Sequence, residues 1–157
     1  NLPVSAQVIG SRATRTTHPR TLAGFQKLFS LLGESPFTVE NPFLWATKAD
    51  VIQKITKAAC GEMIRSSTSC AHTWERPNTF THCGVCSQCI DRRLAAAAAH
   101  AEQFDPDEHY RTNIFVDSRP EDDDKMMLAA YLDRATAVGE ITIPAEFIAA
   151  FSQIVDA

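Results

Sequence analysis

Cys83, Cys86 and Cys89 form a CxxCxxC run, and Cys70 stands thirteen positions before it. Four thiolates so spaced can converge tetrahedrally on one zinc ion, at about 2.3 Å each. The CxxC step is a short knuckle that turns two sulfurs toward a common point. Gly84 allows the tight turn that exposes backbone amides to those sulfurs. Cys86 and Cys89 fall at the start of an Ala-rich helical pattern, whose dipole favours thiolate there. Such a site has no open coordination position, so its metal would be structural rather than catalytic.

Other chemistries use cysteine too. Disulfides suit an odd count with a tight triplet poorly. An iron–sulfur cluster is the more serious alternative, but ferredoxin-type runs continue to a Cys-Pro pair that is not found here. His72 and His82 lie close enough in sequence to serve as substitute ligands. Cys60, the fifth cysteine, reads as a buried structural thiol at the end of a helical stretch.

The elements that must position these thiols can be read from periodicity and punctuation. Leu22, Phe25, Phe29 and Leu32 recur at helical spacing between Thr21 and Gly33. Phe37 to Val39 reads as a short strand or extended segment, and Asn41-Pro42 as a turn. Thr47 to Asp50 has the form of a capping box, followed by a helix with Val51, Ile52, Ile55 and Ala59 inward. Residues 66–82 show no period, and a loop of that length needs an anchor, which the cysteines supply. A long helix should run from Ser87 to Gln103, with Ile90, Leu94, Ala97, Ala98 and Ala101 as its apolar side. Residues 102–124 hold nine acidic positions against two Arg and read as a solvated linker.

Beyond that linker, Met127, Leu128, Tyr131, Leu132 and Ala135 mark a helix stopped by Gly139. Pro144 suits the first turn of a last helix carrying Phe147, Ile148, Phe151, Ile154 and Val155. The domain reading is therefore residues 1–104 with the metal site in loop 66–89, an acidic linker over 105–124, and a helical extension over 125–157. The fold class is mainly α, with a four-cysteine zinc knuckle and few short strands.

Composition bounds the rest. The chain has 157 residues, 45% hydrophobic and 22% charged, which suits one globular unit. It lacks an apolar run near 18 residues, and it lacks a basic region leading into an apolar stretch. A membrane span and a signal peptide are thus not expected, and a cytoplasmic location is. A net charge of -4 and the missing second CxxC pair argue against a nucleic-acid-binding zinc ribbon. Residues 1–33 contain no acid, so the basic stretch 10–20 is either a solvated loop or one that faces an anion.

In combination, THPRTLAGFQKL, NPFLWATKADVI, SSTSC and HCGVCSQCIDRRLA resemble the C-terminal half of 7-cyano-7-deazaguanine synthases of the queuosine pathway. Ser69-Cys70, then Cys83 to Cys89 and Arg92, follow the family's "SC…CGxCxxCxxR" zinc signature, and Pro42 to Val51 follows its Thr-Lys segment. The resemblance covers roughly residues 17–100. It implies the C-terminal portion of an α/β adenine-nucleotide-hydrolase-like (PP-loop) fold. It also implies an enzyme that adenylates a carboxylate with ATP and magnesium, and often a homodimer.

The chain departs from the family in lacking the SGGxDS loop that grips ATP phosphates; its six glycines are all isolated. The YPDCRPEF-like segment is His18 to Phe25 here, with Arg20 and Leu22 in place of the acid and following Arg. The chain therefore resembles a divergent paralogue. Arg20, Lys48 and Arg92 are the candidates to face the nucleotide or acyl-adenylate. The expectation is a zinc-binding region of an ATP-dependent ligase, inactive alone, acting in full length on a small-molecule or acyl substrate. The competing reading is a non-enzymatic zinc module that docks a partner.

Overall fold

Proline's fixed φ and missing N–H suit the first position of a helix. Accordingly α1 (Pro19–Leu32) begins two residues before the expected Thr21. These features come from a computed structural model that describes residue 17 and residues 19–72, 79–119 and 122–150. Most of the basic stretch 10–20 and the loop residues 73–78 lie outside them.

The expected inward face of α1 is largely uncovered. Leu22 is half-buried, but Phe25, Phe29 and Leu32 are exposed, as are Leu28 and Leu31. Phe25 stacks on Phe29 at 6.0 Å, and Phe29 packs on Phe37 at 5.2 Å. Residues 37–39 run extended without a sheet partner. The Phe37 N–H donates to Ser30 Oγ at 2.9 Å, which ties the segment back to α1.

Helix α2 (Lys48–Lys57) opens on the expected capping box. Thr47 Oγ1 accepts from the Asp50 N–H at 3.1 Å, and the Asp50 carboxylate accepts from the Thr47 N–H at 2.8 Å. These bonds to Thr47 lower the Asp50 pKa. Val51, Ile52 and Ile55 are half-buried, but Ala59 is exposed at a left-handed φ of 57°. It closes the helix: its N–H reaches Thr56 O and the Cys60 N–H reaches Ile55 O, both at 3.0 Å. Cys60 is therefore in an exposed corner, not buried as expected. A helix absent from the sequence reading, α3 (Gly61–Ser66), follows at once. Gly61 is required there because a Cβ would lie 2.3 Å from the Phe104 ring.

Helix α4 (Ser87–Ala98) stops short of Gln103. His100 takes a left-handed φ of 53°, the His100 N–H donates to Ala97 O, and the Ala101 N–H donates to Ala96 O at 2.9 Å. This reversal turns residues 102–104 and 107–109, two short 3-10 turns, back along the helix. The buried face follows the expected one in part: Ile90 and Ala101 are fully buried and Ala97 is half-buried, but other positions differ. Arg92, Arg93, Ala95 and Ala96 are inside with Ile90, while Leu94 and Ala98 are exposed.

The acidic stretch is not a solvated linker along its whole length. Asp105 is fully buried, and Tyr110, Thr112 and Arg119 are buried with it. The Asp105 carboxylate accepts from Arg92 Nε at 2.7 Å, from Arg93 at 3.3 Å, and from the Tyr110 hydroxyl at 2.9 Å. Arg93 also pairs with Asp107 and lies over the Tyr110 and Phe115 rings. Burial, then the Asp105 charge, push the Tyr110 pKa upward.

Helix α5 (Asp122–Gly139) ends at Gly139 as expected. Met127, Leu128 and Tyr131 are half-buried, whereas Leu132 and Ala135 are exposed. Pro144 opens α6 (Pro144–Ala150), with Phe147 half-buried and Ile148 exposed. Phe151, Ile154 and Val155 lie outside the described residues. The architecture is mainly helical. Among the described residues there is no strand, only one parallel bridge between His82 and Tyr110.

Removing one member of a buried ion pair leaves the other uncompensated, at about 3–5 kcal/mol. Asp105→Asn should therefore lower unfolding stability by about that amount in chemical denaturation. A change of about 0.5 kcal/mol or less, typical of surface sites, would show that the two arginines are satisfied without the charge.

Candidate metal centre

The buried apolar cluster of this protein is the cysteine site itself: Cys70, Cys83, Val85, Cys86, Cys89 and Tyr110. The four cysteine sulfurs all lie within 4.8 Å of one another. Ligands at about 2.3 Å from a tetrahedral centre stand about 3.8 Å apart. The Cys83 and Cys89 sulfurs are 3.9 Å apart, close to that edge and far beyond a disulfide of about 2.05 Å. All five cysteines are free. The spacing suits one central ion. A polynuclear cluster would need room for several irons and sulfides between the thiolates.

Local backbone chemistry makes this geometry. Cys86 is the N-cap of α4 and Cys89 sits in its first turn, so two sulfurs share the positive end of the helix. Gly84 has a φ of +81°, as the knuckle turn requires. A second constraint was not visible in the sequence: a Cβ at Gly84 would lie 1.8 Å from the carbonyl oxygen of Thr112. The turn aims the Cys86 N–H at Cys83 Sγ, 3.4 Å away.

His82 and His72 are not in the ligand cluster. His82 is fully buried, with its ring 4.8 Å from that of Tyr110. The Ser69 N–H donates to its Nε2 at 3.4 Å, and its Nδ1 lies 2.8 Å from Thr81 Oγ1. His82 thus fixes the residue before the first ligand to the residue before the second.

Three crowded thiols cannot all ionise without a cation. Hydrogen bonds from Cys83 and Cys89 lower the Cys86 pKa. The hydrogen bond to Cys86 pushes Cys83 up to about 11, and bonds to Cys83 and Cys86 raise Cys89. A divalent ion would replace those protons and supply the missing positive charge.

The three candidates for a nucleotide site sit on α1, α2 and α4. Lys48 opens α2 and donates to Asp91 at 2.9 Å; Asp91 also accepts from the Tyr131 hydroxyl at 2.7 Å. Arg20 is exposed in the first turn of α1. Arg92 turns inward instead of toward a nucleotide. It binds Asp105, Ser67 Oγ at 2.8 Å and Ile64 O at 2.5 Å, because its helix face is the one that α3 and residues 102–105 cover. Asp105 and Arg119 went unnoticed in the sequence. The available signal was two Arg on α4 and two more inside a strongly acidic stretch.

The family described as Queuosine biosynthesis protein QueC matches residues 17–100, more than half the chain and all four clustered cysteines. No curated protein and no solved structure matches the chain.

Protons compete with metal for thiolates, and Cys83 carries its proton at neutral pH when no cation is present. Metal loading at neutral pH should therefore release protons, and retention against a chelator should weaken as pH falls. Titration in weak buffer checks this, and loading without proton release would contradict thiolate ligation. Gly84→Ala should weaken metal retention and folding together, read by melting with and without chelator.

Proposed function

Because the chain belongs to the QueC family, we propose that it is the zinc-bearing region of an ATP-dependent ligase that adenylates a carboxylate. The observation that carries this reading is the convergence of four sulfurs inside the family-matched span. Thiolate ligands and tetrahedral spacing favour zinc, and four of them leave no position for substrate. Its part in the chemistry is to hold loop and helix in place.

In the synthases that the sequence resembles, adenylation turns a carboxylate oxygen into a good leaving group. Ammonia then displaces AMP to give an amide, and a second ATP-dependent step dehydrates it to a nitrile. Cationic side chains near the phosphate stabilise developing charge. Lys48 and Arg20 are the candidates for that role; Arg92 is not, since its guanidinium is bound in the interior. The PP-loop fold, with ATP and magnesium, belongs to the full-length enzyme, and the chain alone is inactive. Its six glycines stand singly in the sequence, without the Gly-rich pattern of a phosphate cradle. The uncovered face of α1, with Trp45 at 94% exposure, supports burial against a further part of that enzyme. The substrate is a small acyl molecule, the enzyme a cytoplasmic homodimer, and nucleic acid is not a partner. No helix of the described residues is long and apolar enough to cross a membrane.

One observation favours a non-enzymatic, zinc-stabilised partner-binding module instead. Lys48 is already held by Asp91, and a lysine so paired is less available to a phosphate.

The two readings separate by experiment. Elemental analysis should give about one zinc per chain. The 157-residue chain should show no thermal shift with ATP and magnesium. In the full-length protein, Lys48→Ala should cut pyrophosphate release at least tenfold, about 1.4 kcal/mol of lost transition-state stabilisation. Undiminished release would remove Lys48 from the site, and no release from the unmodified full-length protein would favour the module.

A further inference from the structure

We propose that Arg119 is a positioning residue of the metal centre, acting on the Cys83 thiolate through the Val85–Cys86 peptide. This rests on the reading that the four cysteines hold a metal. Arg119 lies beyond the span that matches the family. It is buried, and its guanidinium donates to three carbonyls at 3.4 Å: Val85, Gly84 and Asp124. Two of these belong to the knuckle itself.

The geometry gives those contacts a direction. A trans peptide is planar and carries its C=O and N–H on opposite edges. The Val85 carbonyl and the Cys86 N–H belong to one such peptide, and no peptide bond here is cis. On one edge Arg119 donates to the oxygen; on the other the N–H donates to Cys83 Sγ at 3.4 Å. A cation on the oxygen draws electrons from the N–H and strengthens the bond it donates. Four thiolates on a divalent ion leave a net negative charge, and a buried guanidinium next to the knuckle offsets it. Nearby residues fix the same turn: the Thr112 carbonyl lies against Gly84, and the His82–Tyr110 bridge holds the residue before Cys83. The metal knuckle is therefore clamped by residues from 110 to 119, not by the family-matched span alone.

The test uses the zinc-loaded protein and a chromogenic chelator. Loss of an outer residue typically weakens a metal site by about 10–100-fold. Arg119→Gln should speed zinc release by about 10-fold, and Arg119→Lys, which keeps charge but loses the fork, should fall between. General loosening is separated by spectroscopy. In the cobalt-substituted protein the thiolate-to-metal band should shift in Arg119→Gln and stay unchanged in Thr47→Ala, which loosens only the cap of α2. Unchanged release and an unchanged band in Arg119→Gln overturn the proposal while leaving the metal centre intact. An unmodified protein that holds no metal overturns both. If Arg119→Gln does not fold, hydrogen exchange on the unmodified protein decides. Residues 110–119 should lose protection together with 82–89 when the metal is stripped, and protection retained over 110–119 overturns the proposal.

Discussion

Four sulfurs drawn into one buried volume are the constraint on which the rest of this protein depends. Helices α1, α2 and α6 contribute no buried residue among those described, and the buried apolar cluster is the cysteine site with Val85 and Tyr110. The buried apolar residues described are four cysteines, Ile64, Val85, Ile90, three alanines and Tyr110, which is little hydrophobic mass to offset chain entropy. A metal held by the four sulfurs would fix four points of the chain at once. Cys70 lies across a long loop from the other three, so the same contact also closes that loop.

A second anchor stands a turn further along α4. There Arg92 and Arg93 converge on Asp105, which the left-handed turn at His100 brings back beside the helix that carries them. The run of alanines makes this possible. Ala95 and Ala96 are buried and small, so the returning chain can approach closely, and the Arg side chains, not apolar bulk, fill the space. One helix thus presents cysteine sulfurs at its start and guanidinium groups in its middle, the latter compensated by the Asp105 charge.

What the sequence made legible follows from the range over which each signal acts. The capping box at Thr47 and Asp50, the stop at Gly139 and the start at Pro144 are decided within a few residues, and all were readable. The cysteine spacing was readable because coordination demands particular residue types. The fate of Arg92 and Arg93 was not. Twelve or more residues separate them from Asp105, and they are joined only by the left-handed turn at His100, a conformation that His tolerates but that no sequence pattern dictates. The same applies to Cys60: its exposure follows from Ala59 adopting a conformation that its side chain disfavours. Helical periodicity correctly placed α1 but could not tell which surface covers it.

The acidic stretch shows why composition alone misleads about solvation. Nine acids in 23 residues look like a chain that prefers water, yet charge is buried wherever a counter-charge is fixed in place. Asp105 meets two guanidinium groups held by one helix, and they compensate its desolvation where it is buried. Asp122 has no such scaffold; it pairs with Lys125 on the surface, where such pairs contribute little. Tyr131 extends this logic to α5. Its hydroxyl donates to Asp91, whose other oxygen already binds Lys48, so one carboxylate joins α2, α4 and α5. Asp91 lies two residues after Cys89 and directly before Arg92, so both charge junctions follow the cysteines on a single helix.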